Sequence, residues 1–388
     1  MVKLEEIVRP NILGLEPYRC ARDDFKEGVL LDANENTHGP ALHTVSKDED
    51  SLELNRYPDP HQVELKQQIC DYRNASPNPK GKADLVPENL CLGVGSDESI
   101  DLLIRCTCAP AKEKMLVCPP TYGMYGICAT INDVEVVKVP LNYPSWSLDI
   151  DGIVAKVAAE PVKLVYITSP GNPVAKLVDV NQVVELADRL QDHPVLVVVD
   201  EAYIDFCEPS ASCSTLVNTY DNIVVLQTLS KAFGLAGIRL GITYAPKQLS
   251  RYLNAMKWPY NISSLTSSVA LRATSTEGLV TMKKYKDSII NQRTKLCAAF
   301  DKLDGVGRNI GGLDANFVLY EILNKDGKPD NVVAEQVYKK LAVDNAVVVR
   351  FRGKELNCEG ALRFSIGQQH ENDELIKRLT QVLAEVRG

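Results

Sequence analysis

The chain has 388 residues, more than one typical domain, and its 45% hydrophobic and 24% charged residues are ordinary for a globular protein in water. A net charge of −8 with no strongly basic block argues against a nucleic-acid partner. No run of about 18 apolar residues is present, so no membrane span is expected, and the opening MVKLEEIVRP carries no secretory or transit pattern.

Residues 1–60 read as an extended arm, rich in Pro, Asn and charge, with short apolar pieces at Ile12–Leu15 and Val29–Leu31. Residues 74–84, with Pro77, Pro79 and Gly81, read as an exposed loop. From about residue 89 strands and helices alternate. Asn89–Val94 is a predicted strand, Ser96–Cys106 a helix with Ile100, Leu103 and Ile104 on one face, and Met115–Cys118 a short strand. Leu164–Ile167 is the next strand. A helix follows from about Asp179, a plausible N-cap, to Leu190. Val195–Val199 and Ile223–Leu226 are apolar without alternation, as parallel strands covered on both faces should be. Helical sequence near 264–303 leads to a smaller unit. Its predicted strands are Ala315–Ile322, Ala346–Phe351 and Ala361–Ile366, with helices near 331–342 and 371–386. The fold class expected is α/β: an arm (1–60), a large domain on a mostly parallel sheet (61–275) and a smaller α/β domain (276–388). The eleven cysteines are scattered, and Cys106 and Cys108 have neither zinc nor redox spacing. They are expected to be reduced, mostly buried thiols, with no metal site and a reducing, cytoplasmic setting.

Three apolar strands end near three different polar groups: Asn172, Asp200 and Lys231. Open α/β sheets bind ligands beyond the carboxyl ends of their strands. An amine able to react with an aldehyde, and a carboxylate able to keep a pyridine nitrogen protonated, are what pyridoxal 5'-phosphate requires. Its phosphate needs a cradle. Gly93-Val94-Gly95-Ser96 leaves a strand for a helix start, and Ser230 and Arg239 add a hydroxyl and a guanidinium fork. Asp97 and Glu98 are awkward beside a phosphate, so main-chain contacts are expected there, with these side chains stabilising the helix start. Tyr122 is placed to stack on a ring, and Asn172 and Tyr203 to hydrogen-bond its phenolic oxygen. Singly, each has a bland alternative: Asp200 a turn residue, Lys231 a solvated loop lysine, Tyr122 a core tyrosine. Their joint order along the strand ends carries the reading.

The motifs LLDANEN, NRYPDPH, GVGSDESIDLLIR, PPTYGMY, TSPGNP, VVVDEAYIDF, TLSKAFGLAGIRLG, PYNIS, DANF and VVVRFRG…GALRFSIG, in this order, resemble the histidinol-phosphate aminotransferases, their fungal members in particular. That family belongs to the fold-type I pyridoxal-phosphate enzymes. The resemblance implies a homodimer with shared active sites, taking histidinol phosphate and 2-oxoglutarate or glutamate as substrates. It makes Lys231 the Schiff-base lysine, Asp200 the partner of the pyridinium, and Asn172 and Tyr203 the holders of the phenolic oxygen. Ser96, Asp97, Ser230 and Arg239 would line the phosphate, and Tyr122 would stack. Tyr57 would reach the phosphate bound by the neighbouring subunit. Asn34, Tyr57, Asn172, Arg350 and Arg363 would contact substrate, the two arginines through its anion. Related enzymes, such as an aromatic aminotransferase or a phospho-amino-acid decarboxylase, stand as alternatives, as does a non-catalytic cofactor-binding protein. In one departure, the family's usual NPTG is replaced by Asn172-Pro173-Val174-Ala175, which reads as one residue shorter and lacks the glycine. The turn is expected to differ because glycine's freedom at positive φ is lost.

Overall fold

The computed structural model describes residues 3–14, 16–17 and 47–387. Asn34, the rest of LLDANEN and the apolar piece Val29–Leu31 lie outside them. A seven-stranded sheet is built from β1 (Leu90–Val94), β2 (Lys114–Val117), β3 (Glu135–Lys138), β4 (Val162–Thr168), β5 (Leu196–Asp200), β6 (Ile223–Thr228) and β7 (Leu240–Tyr244). Its spatial order is β1-β7-β6-β5-β4-β2-β3. Strand β7 is antiparallel to both neighbours, and the remaining contacts are parallel.

The apolar runs fill both faces of this sheet. Val197, Val199 and Val225 pack into one core with the helices Ile150–Ala159 and Val180–Arg189. Leu196, Val198, Val224 and Leu226 pack into the other, with the helices Gly95–Thr107, Met124–Ile131 and Lys247–Met256. A strand covered on both faces cannot alternate polar with apolar. Asp179 caps its helix as expected, accepting from the Asn181 N–H. The N-terminal residues are less arm-like than expected: Leu4, Ile7, Val8 and Ile12 are buried in the second core.

A second sheet, ordered β10-β11-β9-β8, is antiparallel throughout. Its strands are β8 (Val306–Asn309), β9 (Phe317–Ile322), β10 (Arg350–Phe351) and β11 (Ala361–Ser365). It packs on the helices Thr276–Phe300, Asn331–Val343 and Gln369–Arg387 through a separate core. The strand expected over Ala346–Phe351 shrinks to its last two residues. Ala346 takes φ 53°, a left-handed conformation that ends any extended run.

The two sheets meet at the loop after β4. The Gly312 N–H donates to the Val174 carbonyl (2.7 Å), and Asp314 Oδ2 accepts from the Leu177 N–H (2.8 Å). The Trp146 indole donates to the Ile310 carbonyl (2.6 Å). In the loop of Val174-Ala175 a positive φ is adopted without a glycine, by Ala175 at φ 52°. Hydrogen bonds hold it there, with Ala175 N–H on Gly171 and its carbonyl on the Asp314 N–H. They offset the roughly 1–2 kcal/mol that an alanine costs in that region.

One glycine is dictated by close approach. A Cβ on Gly241 in β7 would overlap the Gly95 carbonyl and the Ser96 N–H, which open the helix after β1. Gly241→Ala should therefore destabilise the protein by about 1–3 kcal/mol, read as a lower urea midpoint at unchanged slope. An unchanged midpoint would show that β1 and β7 can separate there.

Candidate active site

The carboxyl ends of β4, β5 and β6 converge with the start of the helix Gly95–Thr107 on one cleft of about 140 Å³. It is lined by Ser96, Asp97, Tyr122, Asn172, Asp200, Tyr203, Ser230, Lys231 and Arg239, nine of the residues singled out in the sequence. Thr168, at the end of β4, also lines it and stands directly opposite Asp200 in the ladder.

Asp200 is 3% exposed. Burial pushes its carboxyl above the usual range. The Tyr125 hydroxyl and the Ala202 N–H pull it back, donating to Oδ2 at 2.7 Å and Oδ1 at 3.2 Å. Sequence reasoning missed Tyr125. It lies three residues after Tyr122, in the first turn of the helix Met124–Ile131, is fully buried, and shares a hydrogen bond with the Thr168 hydroxyl (2.9 Å). Thr168 in turn hydrogen-bonds Thr121 (2.9 Å). The available signal was the second tyrosine of PPTYGMY, in the first turn of the helix Met124–Ile131.

Lys231 follows β6 in a turn and is half-buried. Burial first, then the Arg363 guanidinium, push its amine below the ordinary lysine range, and Asp97 opposes them. Its Nζ lies 5.6 Å from the centre of the Tyr203 ring. Burial raises the Tyr203 hydroxyl, and Arg363 draws it back. Asn172 is buried, and its Oδ1 accepts from Arg363 Nη1 at 2.6 Å.

At the other end of the cleft the N-cap residue Val94 offers the helix Gly95–Thr107 no side-chain cap, and the Glu98 carboxylate accepts the Val94 N–H. Arg239 adopts φ 54°, accepts the Gly95 N–H on its carbonyl (3.0 Å), and lies 3.5 Å from Asp97 through Nη2. Gly95 has φ 75°, and a Cβ there would overlap the Arg239 guanidinium. Asp97 is held by Arg239 and by the Tyr122 hydroxyl (3.2 Å), so its charge is partly answered. The helix-start amides beyond Gly95, the Arg239 guanidinium and the Ser96 and Ser230 hydroxyls are donors of the kind that suit an anion.

Three of the expected residues lie apart from this lining. Tyr57 is more than half exposed and stacks on Tyr260, ring centroids 4.6 Å apart. Arg363 reaches the cleft through Asn172. Arg350 is exposed and stands opposite Arg363 in the β10–β11 ladder.

The family model of aminotransferase class I and II matches residues 26–379, and the chain belongs to that family. It is 61% identical to the histidinol-phosphate aminotransferase of Candida maltosa, over 100% of both chains. It is 48% identical to that of Schizosaccharomyces pombe, over 99% of both. Within the aminotransferases it is therefore a member of the histidinol-phosphate aminotransferase family. The solved structure of the Sinorhizobium meliloti histidinol-phosphate aminotransferase in complex with pyridoxal-5'-phosphate has the same fold. Its TM-score is 0.76 at 23% identity, covering 91% of this chain and 90% of that one.

The buried carboxylate sets a pH signature. The folded Asp200 carboxyl binds its proton more tightly than the unfolded one. Its ionisation therefore costs stability as pH rises from about 4 through the folded value, and none below. Asp200→Asn should raise the melting temperature of cofactor-free protein at neutral pH and change little in acid. Tyr125→Phe should lower stability by about 1.5–3 kcal/mol at neutral pH, because the lost bond is to a charged group, and by less in acid. Thermal unfolding of both variants across pH checks this; a pH-independent loss in Tyr125→Phe would show that its hydroxyl does not serve the charge.

Proposed function

We propose that the chain transfers the amino group of L-histidinol phosphate to 2-oxoglutarate, giving imidazole acetol phosphate and L-glutamate, with pyridoxal 5'-phosphate held in the cleft. The observation that carries this reading is the meeting, on one cleft, of the desolvated amine of Lys231 and the buried carboxylate of Asp200. Full-length identity of 61% to a histidinol-phosphate aminotransferase supports the substrate.

The residues present fit the cofactor. The start of the helix Gly95–Thr107, Ser96, Ser230 and Arg239 suit its phosphate, and the absence of a Cβ at Gly95 lets the Arg239 guanidinium lie against that helix start. Asn172 and Tyr203 suit its phenolic oxygen, and Tyr122 suits its ring. When bound, pyridoxal phosphate supplies an electron sink for the pair left on the substrate's α-carbon. Asp200 holds the proton on the pyridine nitrogen. Lys231, with its amine biased towards the neutral form, removes the proton from the substrate α-carbon as a general base. Asn172 positions Arg363, and Arg363 with Arg350 binds the substrate's anion. One guanidinium site can serve the phosphate of histidinol phosphate and the carboxylate of glutamate in turn, so ping-pong kinetics follow.

The enzyme acts, in this reading, as a homodimer, with Tyr57 completing the phosphate site of the partner subunit. The arm that carries Tyr57 supports this: Pro58 and Pro60 stiffen it. A cytoplasmic setting is supported by the ten described cysteines, all free and eight of them buried.

The first check is the absorbance spectrum and turnover of purified protein with histidinol phosphate, and separately with phenylalanine. Cofactor-dependent turnover should favour histidinol phosphate; equal or greater use of phenylalanine would make it an aromatic aminotransferase. A mixing experiment checks the shared site. Tyr57→Phe protomers exchanged with Lys231→Ala protomers give mixed dimers in which one site carries both lesions and the other neither. Activity should rise above the average of the two parents. Activity at that average under proven exchange would return Tyr57 to its own chain.

A further inference from the structure

Arg352 was not singled out in the sequence, yet it occupies an unusual position. The β10–β11 pairing places Arg350 opposite Arg363. The ladder continues one residue past β10, where the Arg352 N–H donates to the Ala361 carbonyl at 2.8 Å. Residues two apart on an extended segment point to one face. Arg350, Arg352 and Arg363 therefore share the face that reaches Asn172. Diagonal neighbours across such a ladder lie within reach of long side chains.

The three charges are poorly neutralised. The Arg352 side chain is 23% exposed, and its carboxylate neighbour, Glu355, is 3.5 Å away on the Nη1 side. Arg352 Nε is buried with no hydrogen-bond partner, and so is Arg363 Nε. Among the described residues neither Arg350 nor Arg363 pairs with a carboxylate. Burial lowers Arg363 below the ordinary arginine range, and the Arg352 guanidinium is the next cause, ahead of Arg350. Arg352 also acts on the Tyr203 hydroxyl in the cleft. Two adjacent guanidiniums, each with an orphaned buried N–H, are costly unless an anion joins them.

We propose that Arg352 is a third arginine of the substrate-anion pocket, and that it makes the pocket prefer a phosphate dianion to a carboxylate. This rests on the reading that histidinol phosphate is the amino donor. A carboxylate offers two coplanar oxygens, which one guanidinium fork satisfies. A phosphate monoester offers three terminal oxygens and close to two charges at neutral pH. Arg363 already gives one N–H to Asn172, so its fork is partly engaged. Arg352 supplies the additional donor and charge that the dianion uses and the carboxylate leaves idle. It binds and selects; it does not touch the reacting carbon.

The test uses holoenzyme carrying Arg352→Gln, with Arg352→Lys and Arg363→Ala beside it. The two half-reactions are followed by absorbance, one with histidinol phosphate and one with glutamate. Inhibition by glycerol 3-phosphate, a phosphate monoester without an amine, is measured in parallel. Arg352→Gln should raise KM for histidinol phosphate about tenfold or more, with kcat little changed and glutamate affected less than about threefold. Glycerol 3-phosphate should weaken in step with histidinol phosphate, and Arg352→Lys should recover part of the loss. The wild-type preference for phosphate should fall as pH drops through about 6, where the monoester loses its second charge, and this fall should be absent in Arg352→Gln. Arg363→Ala should weaken both substrates. Equal losses for both substrates in Arg352→Gln, or no loss for histidinol phosphate, would overturn the assignment. Wild-type enzyme that does not use histidinol phosphate would instead overturn the functional reading. The glycerol 3-phosphate comparison needs no amine chemistry and would still decide the role of Arg352.

Discussion

A charged carboxylate held away from water is the constraint around which this structure is arranged. Asp200 ends a strand buried on both faces, where ionisation is opposed by desolvation. Two donors keep the charge tolerable, the Tyr125 hydroxyl and the Ala202 N–H. Tyr125 is itself fixed by Thr168 and by stacking on Tyr166, ring centroids 4.7 Å apart. The site thus carries its own electrostatic tension: a buried carboxylate and a desolvated amine, each driven towards neutrality. A cofactor with a cationic ring nitrogen and an aldehyde answers both.

The strand ends that present these groups are tied together from below. Arg73, buried in the helix Val63–Asn74, binds Asp205 (2.8 Å) and donates to Gln227 on β6 (2.8 Å). Gln227 donates to Glu201, the residue after Asp200 (2.7 Å), and Glu201 also accepts from Ser212 and from the Cys213 N–H. The Tyr72 hydroxyl completes the cluster on Asp205 (3.0 Å). Such a network has value only when every member is satisfied. Here it links β5, which carries Asp200, to β6, which leads to Lys231. Position at the active site is set by a polar cluster that takes no part in chemistry.

Much of this was legible in the sequence because its signals are local. Unbroken valine runs announce doubly covered strands, and the polar residue that ends each run is forced towards the cleft. Asp179 declared its helix by cap chemistry. What escaped depends on partners distant in sequence. The helix Val63–Asn74 has a weak apolar pattern, because it buries Lys66 and Arg73 as well as Leu65 and Ile69. Strand β7 is short and glycine-containing, and its place is set by contact with Gly95. Tyr125 reads as a core tyrosine until its hydroxyl is seen on Asp200. The lack of a glycine at Ala175 suggested that positive φ is lost there, whereas hydrogen bonds from residues 312–314 hold a left-handed alanine. Arg352 reads as one more arginine until the β10–β11 register aligns it with Arg350 and Arg363.

The most direct test of the central claim concerns the charge on Asp200. Asp200→Asn, loaded with pyridoxal phosphate, should retain about one cofactor per chain. Its half-reaction with histidinol phosphate, measured in a single turnover, should fall by several orders of magnitude, because the proton on the ring nitrogen loses its counter-charge. A single-turnover rate near that of the wild type, with cofactor bound, would contradict the account and assign the ring nitrogen to another group.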